Sequence, residues 1–131
     1  MDGRQAATGP ALTVSVRPWA RGAVVVPEGE LDLETAGLLR TALDRQLRRI
    51  DQWLLVDCTD LRFCDSTGLS VILRARAAAA AGGGGLDLVA PRPSLRRLLA
   101  LTGTEDFFRV HATMAEAEGT VDGPGPPAVR E

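Results

Sequence analysis

Asp65-Ser66-Thr67-Gly68-Leu69 sets a carboxylate and two hydroxyls side by side, directly after Phe63-Cys64. Hydroxyls and a carboxylate in such company can contact a ligand or a partner. Parallel α/β sheets gather their ligand and partner sites where a strand hands over to a helix, and this segment falls at such a handover. The same residues also start helices well: Asp, Ser and Thr are good caps, and Gly68 would allow close packing. Local sequence leaves both readings open.

Enzyme templates fail on spacing. An aspartic protease needs Asp-Thr/Ser-Gly, and here the glycine comes one residue late. A nucleophile elbow needs Gly-x-Ser-x-Gly, and the residue two before Ser66 is Cys64. A Ser–His–Asp triad would have to use His111, the only histidine. His111 is offset from the alternating apolar residues Phe108, Val110 and Ala112, which reads as a half-exposed strand residue. Gly82 to Gly85 follow a helical pattern and precede a strand, the reverse of a phosphate-binding loop; they read as a flexible connection. Asp57, Cys58, Asp60, Cys64 and Asp65 mix thiols and carboxylates without histidine, a set that suits no common metal. Cys58 and Cys64 read as small buried apolar residues. No catalytic residue, metal site or cofactor is expected.

Composition narrows the class. The 131 residues fit one domain, which buries roughly two thirds of its unfolded surface and needs no metal or disulfide to hold a core. All 15 basic residues are Arg, set against 17 acidic ones for a net charge of −2. That balance argues against direct nucleic-acid binding, which draws on a basic surface to displace counterions, and against a polybasic membrane anchor. No apolar run approaches the roughly 20 residues of a membrane span. The first ten residues have no apolar core of a signal peptide, so the expected compartment is the cytoplasm.

The elements that must position the segment follow from periodicity. Leu12, Val14 and Val16 alternate as a half-buried strand. Ala23 to Val26 form an apolar strand expected to stop at Pro27. Gly29-Glu30-Leu31-Asp32 then reads as a loop, with Asp32 as N-cap of a helix whose stripe is Ala36, Leu39, Leu43, Leu47 and Ile50. Trp53 to Val56 read as a central strand buried on both faces, followed by a turn around Asp60-Leu61-Arg62. A second helix opens at Asp65–Gly68 and buries Gly68, Val71, Ile72, Ala75 and Ala79. Leu86, Leu88 and Ala90 make a strand, and Pro91 and Pro93 introduce a helix burying Leu95, Leu98 and Leu99 that ends at Gly103. Phe108, Val110 and Ala112 make the last strand, and Thr113 with Glu116 forms a capping box for a short final helix. Strands alternating with helices predict an α/β fold: a mostly parallel sheet with one antiparallel edge strand and helices packed on it. Crossovers in sequential order would put all helices on one face. Residues 1–10 and the Pro/Gly-rich 119–131 read as flexible ends around a single domain at 11–118.

Together these residues resemble the bacterial anti-sigma factor antagonists, whose fold is the STAS domain. Three segments in order carry the resemblance: Gly29-Glu30-Leu31-Asp32, Leu61 through Leu69, and Pro93, Leu95, Arg97, Leu98, Leu101, Thr102 and Gly103. Pro27, Cys64 and Thr104 depart from the family pattern. The resemblance implies a regulatory binding protein rather than an enzyme. Its unphosphorylated form would bind an anti-sigma factor, itself a serine kinase, and so release a sigma factor. Phosphorylation of Ser66, the serine directly after the Asp, would switch binding off, and a serine phosphatase would reverse it. Partner contacts transfer to Glu30, Asp32, Asp65, Ser66, Thr67, Gly68 and Leu69. The alternative is a STAS scaffold or ligand-sensing module that no kinase touches.

Overall fold

Trp19 and Gly22 close a two-residue turn that pairs strand β1 (Leu12–Trp19) antiparallel to β2 (Gly22–Leu31). This computed structural model describes residues 11–121; the expected flexible ends at 1–10 and beyond 121 lie outside the described residues. β2 does not stop at Pro27. It continues through Pro27, paired with Val14, to Leu31, so the expected Gly29–Leu31 loop is strand. Past Pro27, alternate amides of β2 face opposite neighbours: Gly29 donates to the Asp60 carbonyl and Glu30 to that of Ala11. By the same alternation, position 27 faces away from β1. It falls between the last pair with β3, Val25↔Val56, and the first with β4, Gly29↔Leu61. A missing N–H costs nothing in that gap.

Strands β3 (Trp53–Asp57), β4 (Leu61–Cys64), β5 (Gly85–Val89) and β6 (Val110–His111) are all parallel to their neighbours. The order is β1-β2-β3-β5-β6, and β4 pairs with β2 beyond the end of β3. β4 replaces the turn expected around residues 60–62. Only Leu61 of its four residues is buried, so it carries no strand period of its own and is held by β2.

Helices α1 (Ala36–Gln46), α2 (Ser66–Ala81) and α3 (Pro93–Thr102) lie on one face of the sheet. Leu39, Leu43, Ile72, Ala75, Leu95 and Leu99 pack there against Val25, Leu54, Val56, Leu86 and Leu88. Helix α4 (Met114–Val121) lies on the other face, where Ala117 and Met114 meet Val24, Trp53, Leu55 and Val89. The one-face expectation therefore holds for the three crossover helices only. α4 follows the last strand, so no crossover handedness governs it. Burial on both faces explains the unbroken apolar run of β3. α4 also carries the chain to Val121, three residues past the expected domain end at 118.

Local departures have local causes. α1 ends at Gln46, leaving Ile50, the last residue of the expected stripe, exposed. Gly103 adopts the expected left-handed cap at φ 71°. The glycine run is not a slack connection. Gly84 and Gly85 are buried, and a Cβ at Gly84 would sit 1.9 Å from the Gln52 carbonyl oxygen. The last strand is two residues long because a 3-10 turn, Glu105–Phe107, takes up the preceding chain. Thr113 Oγ1 accepts from the Glu116 amide at 3.1 Å, and Glu116 reaches back to the Ala112 amide at 3.3 Å, close to the expected capping box.

His111 is buried, not half-exposed, and its Nε2 lies 2.9 Å from Asp87 Oδ2, also buried. α4 packs over β3, β5 and β6 and shuts this edge from water, which an alternation pattern cannot register. Removing one partner of a buried pair leaves the other unsatisfied, at about 1–3 kcal/mol. Asp87→Ala should therefore lower the unfolding free energy by about 1–3 kcal/mol, read as a lower chemical-denaturation midpoint at an unchanged slope.

Candidate functional site at the start of helix α2

Asp65 is the N-cap of α2: its Oδ1 accepts from the Gly68 amide at 2.9 Å, and its carbonyl accepts from Leu69 at 3.0 Å. Its own amide donates to the Leu31 carbonyl at 3.1 Å, which ties the helix start to the end of β2. Ser66 is the first helical residue and is exposed; its hydroxyl makes no hydrogen bond among the described residues. Thr67 is half-buried, while Gly68 and Leu69 are buried. Ser66 and Thr67 precede the first intrahelical donor, so their amides remain open, as helix starts require. Such amides, at the positive end of the helix, accommodate an anion. The cap reading and the exposed-hydroxyl reading are thus both met, by different residues.

Gly68 is where the sequence has no choice. A Cβ there would come within 2.5 Å of Leu31 Cγ and 3.1 Å of Cys64 Sγ. Leu31 is fully buried and pairs with Cys64 in the β2–β4 ladder. The neighbouring pair, Glu30↔Phe63, brings the exposed Glu30 to the same end of the sheet, and Asp32 follows at the next position. The structure thus brings Glu30, Asp32, Asp65, Ser66 and Thr67 together at one sheet end. Gly68 and Leu69 support them from beneath and offer no side-chain surface.

Asp32 does not cap α1 directly. The helix starts at Ala36, one turn later, and Asp32 closes the intervening turn: its Oδ1 accepts from the amides of Glu34 at 3.0 Å and Thr35 at 3.2 Å. The residue that sequence reasoning missed is Thr35, which is buried. Its hydroxyl donates to the Glu30 carbonyl at 2.8 Å and accepts from the Asp32 amide at 2.9 Å, pinning the acidic loop to the strand it leaves. The spacing Asp32-x-x-Thr35, an Asx turn facing a hydroxyl, was the available signal. Two apolar side chains bracket the site in the open: Leu33 is 75% exposed and Phe63 48%.

The cysteines are held inert. Burial, with a smaller push from the Asp65 charge, raises the Cys64 thiol to about 12, and burial raises the Cys58 thiol further. Both stay protonated at neutral pH, and each donates weakly to a backbone carbonyl. A thiol without its thiolate is a poor nucleophile and a poor metal ligand. Among the described residues, no three His, Cys, Asp or Glu side chains group closely enough to hold a metal ion, and no helix is long and apolar enough to cross a membrane.

A mixed sheet with one antiparallel edge, three helices on one face, and an Asp-Ser-Thr-Gly helix start beside an acidic strand end define a small α/β binding domain. The chain belongs to the STAS domain family, whose sequence model matches residues 14–117. It is 30% identical over 106 residues to the anti-sigma-F factor antagonist RsfB of Mycobacterium tuberculosis, covering 81% of this chain and 86% of that one. Among solved structures it is similar to an anti-sigma factor antagonist from Mycobacterium paratuberculosis, at 27% identity and TM-score 0.77, covering 86% and 95% of the two chains. The Bacillus cell fate determinant SpoIIAA in its phosphorylated form shares the fold at 22% identity and TM-score 0.68, covering 83% and 99%.

Two predictions follow from this geometry. Gly68→Ala should destabilise the domain by about 1–3 kcal/mol, the usual cost of overpacking, read as a lower denaturation midpoint; an unchanged midpoint would show that Leu31 yields freely. Cys58 and Cys64 should resist iodoacetamide at pH 8 in the native protein and react quickly in denaturant, Cys58 being the slower of the two before unfolding.

Proposed function

We propose that this chain is an anti-sigma factor antagonist switched at Ser66. The observation that carries the proposal is the Ser66 hydroxyl, exposed and unbonded at the first position of α2. A kinase can reach it without disturbing the fold, and the cap beneath it is supplied by Asp65 rather than by Ser66 itself. The relative from Mycobacterium tuberculosis is named as an antagonist of an anti-sigma-F factor. Carried to this chain, that makes the partner an anti-sigma factor, and the resemblance adds serine kinase activity to it and a phosphatase to reset the switch.

The unphosphorylated protein docks the partner on Leu33, Phe63 and the Ser66 turn, with Glu30, Asp32 and Asp65 at the rim, and so releases the sigma factor. A phosphate on Ser66 adds about −1.5 to −2 charges there. The open amides of Ser66 and Thr67 accommodate it, so the domain stays folded while the docking face becomes more negative and harder to desolvate. A hundredfold loss of affinity needs only about 2.8 kcal/mol, within reach of one such group.

The test is phosphate mapping by mass spectrometry after incubation with the cognate kinase and ATP. Wild type and Thr67→Ala should be labelled at Ser66, and Ser66→Ala should not. Ser66→Ala should bind the anti-sigma factor like the unmodified protein, and Ser66→Asp should bind more weakly, though less so than the phosphorylated form. Label persisting in Ser66→Ala would move the site. No label in any variant, with a kinase shown to bind, would favour a STAS scaffold or ligand-sensing module outside kinase control.

A further inference from the structure

His111 is the only histidine of the chain, and the switch at Ser66 makes no use of it. Its side chain is 6% exposed, and its Nε2 lies 2.9 Å from Asp87 Oδ2. A carboxylate accepts, so Nε2 carries the proton and Nδ1 of the neutral ring is left as an acceptor. Nδ1 makes no hydrogen bond among the described residues. It is not sealed in either. The partnerless side-chain atoms closed off from water are Trp53 Nε1 and Arg109 Nη1, and Nδ1 is not one of them. The small part of the ring that α4 leaves open therefore includes Nδ1.

His111 lines an open cavity of about 530 Å³ at the ends of β5 and β6, together with Ala90, Pro91, Arg96, Val110 and Glu116. That size falls within the roughly 300–1,000 Å³ of ligand pockets. Arg96 of α3 and Glu116 of α4 bring opposite charges to one cavity, yet they form no ion pair with each other or with any other described residue. One Glu116 oxygen accepts from the Ala112 amide at 3.3 Å, and the other has no partner among the described residues. Ala90 holds φ 53°, a conformation that a residue with a side chain rarely adopts, and its amide donates to the His111 carbonyl at 2.8 Å. Backbone strain of this kind gathers at ligand sites.

The lining is neutral in sum but divided in arrangement: a cation, an anion and a fixed acceptor beside apolar Pro91 and Val110. A simple anion would suit Arg96 and be repelled by Glu116; a simple cation would meet the reverse. A zwitterion answers both through charge-assisted bonds, roughly twice as strong as neutral ones. The acceptor at Nδ1 calls for a donor on the ligand, which an ammonium supplies.

We propose that this cavity binds an α-amino acid with an apolar side chain. Its carboxylate bonds to the Arg96 guanidinium, its ammonium to Glu116 and to His111 Nδ1, and its side chain rests on Pro91 and Val110. Asp87 acts through His111 as a positioning residue that fixes the ring and its tautomer. The proposal does not depend on phosphorylation at Ser66.

The test uses the full-length chain labelled with nitrogen-15. It is titrated with L-leucine, with N-acetyl-leucine, which lacks the ammonium, and with leucinamide, which lacks the carboxylate. The readout is the imidazole spectrum, which a single histidine makes unambiguous. The free protein should show the ring proton on Nε2, and leucine should shift the Nδ1 resonance saturably. Each analogue should bind at least about tenfold more weakly than leucine. Arg96→Gln and Glu116→Gln, both at exposed positions, should each weaken leucine binding by about tenfold or more. Glu116→Gln keeps an oxygen for the Ala112 amide, so the start of α4 is preserved. The proposal is overturned by the absence of a saturable shift with leucine, by either analogue binding as well as leucine, by a ring proton on Nδ1 in the free protein, or by leucine affinity unchanged in both variants.

Discussion

The start of α2 lies against the end of β2 because Leu31 occupies the space that a side chain at position 68 would fill. Much follows from that close approach. The Leu31 carbonyl can accept the Asp65 amide, Leu31 pairs with Cys64, and the short strand β4 is drawn into the sheet beyond β3. The helix start is then clamped in rotation. Leu69 must point into the core and Ser66 outward, with Thr67 between them. A side chain at 68 would push the helix start away from Leu31 and alter which hydroxyl is exposed. The interior is as densely packed as a crystal, so little else could give way.

The same clamp separates charge from structure at the site. Asp65 and Asp32 each use a carboxylate oxygen to hold backbone amides in a turn, so both are structural before they are anything else. Both lie with the exposed Glu30 at the end of the sheet where α2 starts. Added negative charge therefore alters what the surface attracts without removing a contact that holds the fold. At the other end of the sheet Arg21 stacks on Trp53 and Arg76 on Phe107.

Much of the fold was legible because burial imposes a period. The stripe Gly68, Val71, Ile72, Ala75 and Ala79 is buried as a helix of 3.6 residues per turn requires, and the run Trp53–Val56 is central because it is apolar on both faces. The misses occur where no period operates. β4 has a single buried residue, β2 passes through a proline, and α4 is free of crossover handedness. At the site, the Asp-Ser-Thr-Gly segment stood out by composition, but Thr35 did not. Its role is to bond two backbone groups that only meet once β2 has turned into α1.

Residue type and spacing alone determined the class of fold, the helix that carries Ser66, and the need for a small residue at 68. These are consequences of local periodicity and of side chains that a chain of any arrangement must bury or cap. Only tertiary structure decided which of the adjacent hydroxyls is open, because that depends on how Leu31 fixes the helix about its axis. It also decided that His111 is sealed against Asp87. The two are 24 residues apart in the chain. Hydrogen-bond partnership between such distant groups has no periodic trace in sequence; it exists only after the sheet has set them side by side.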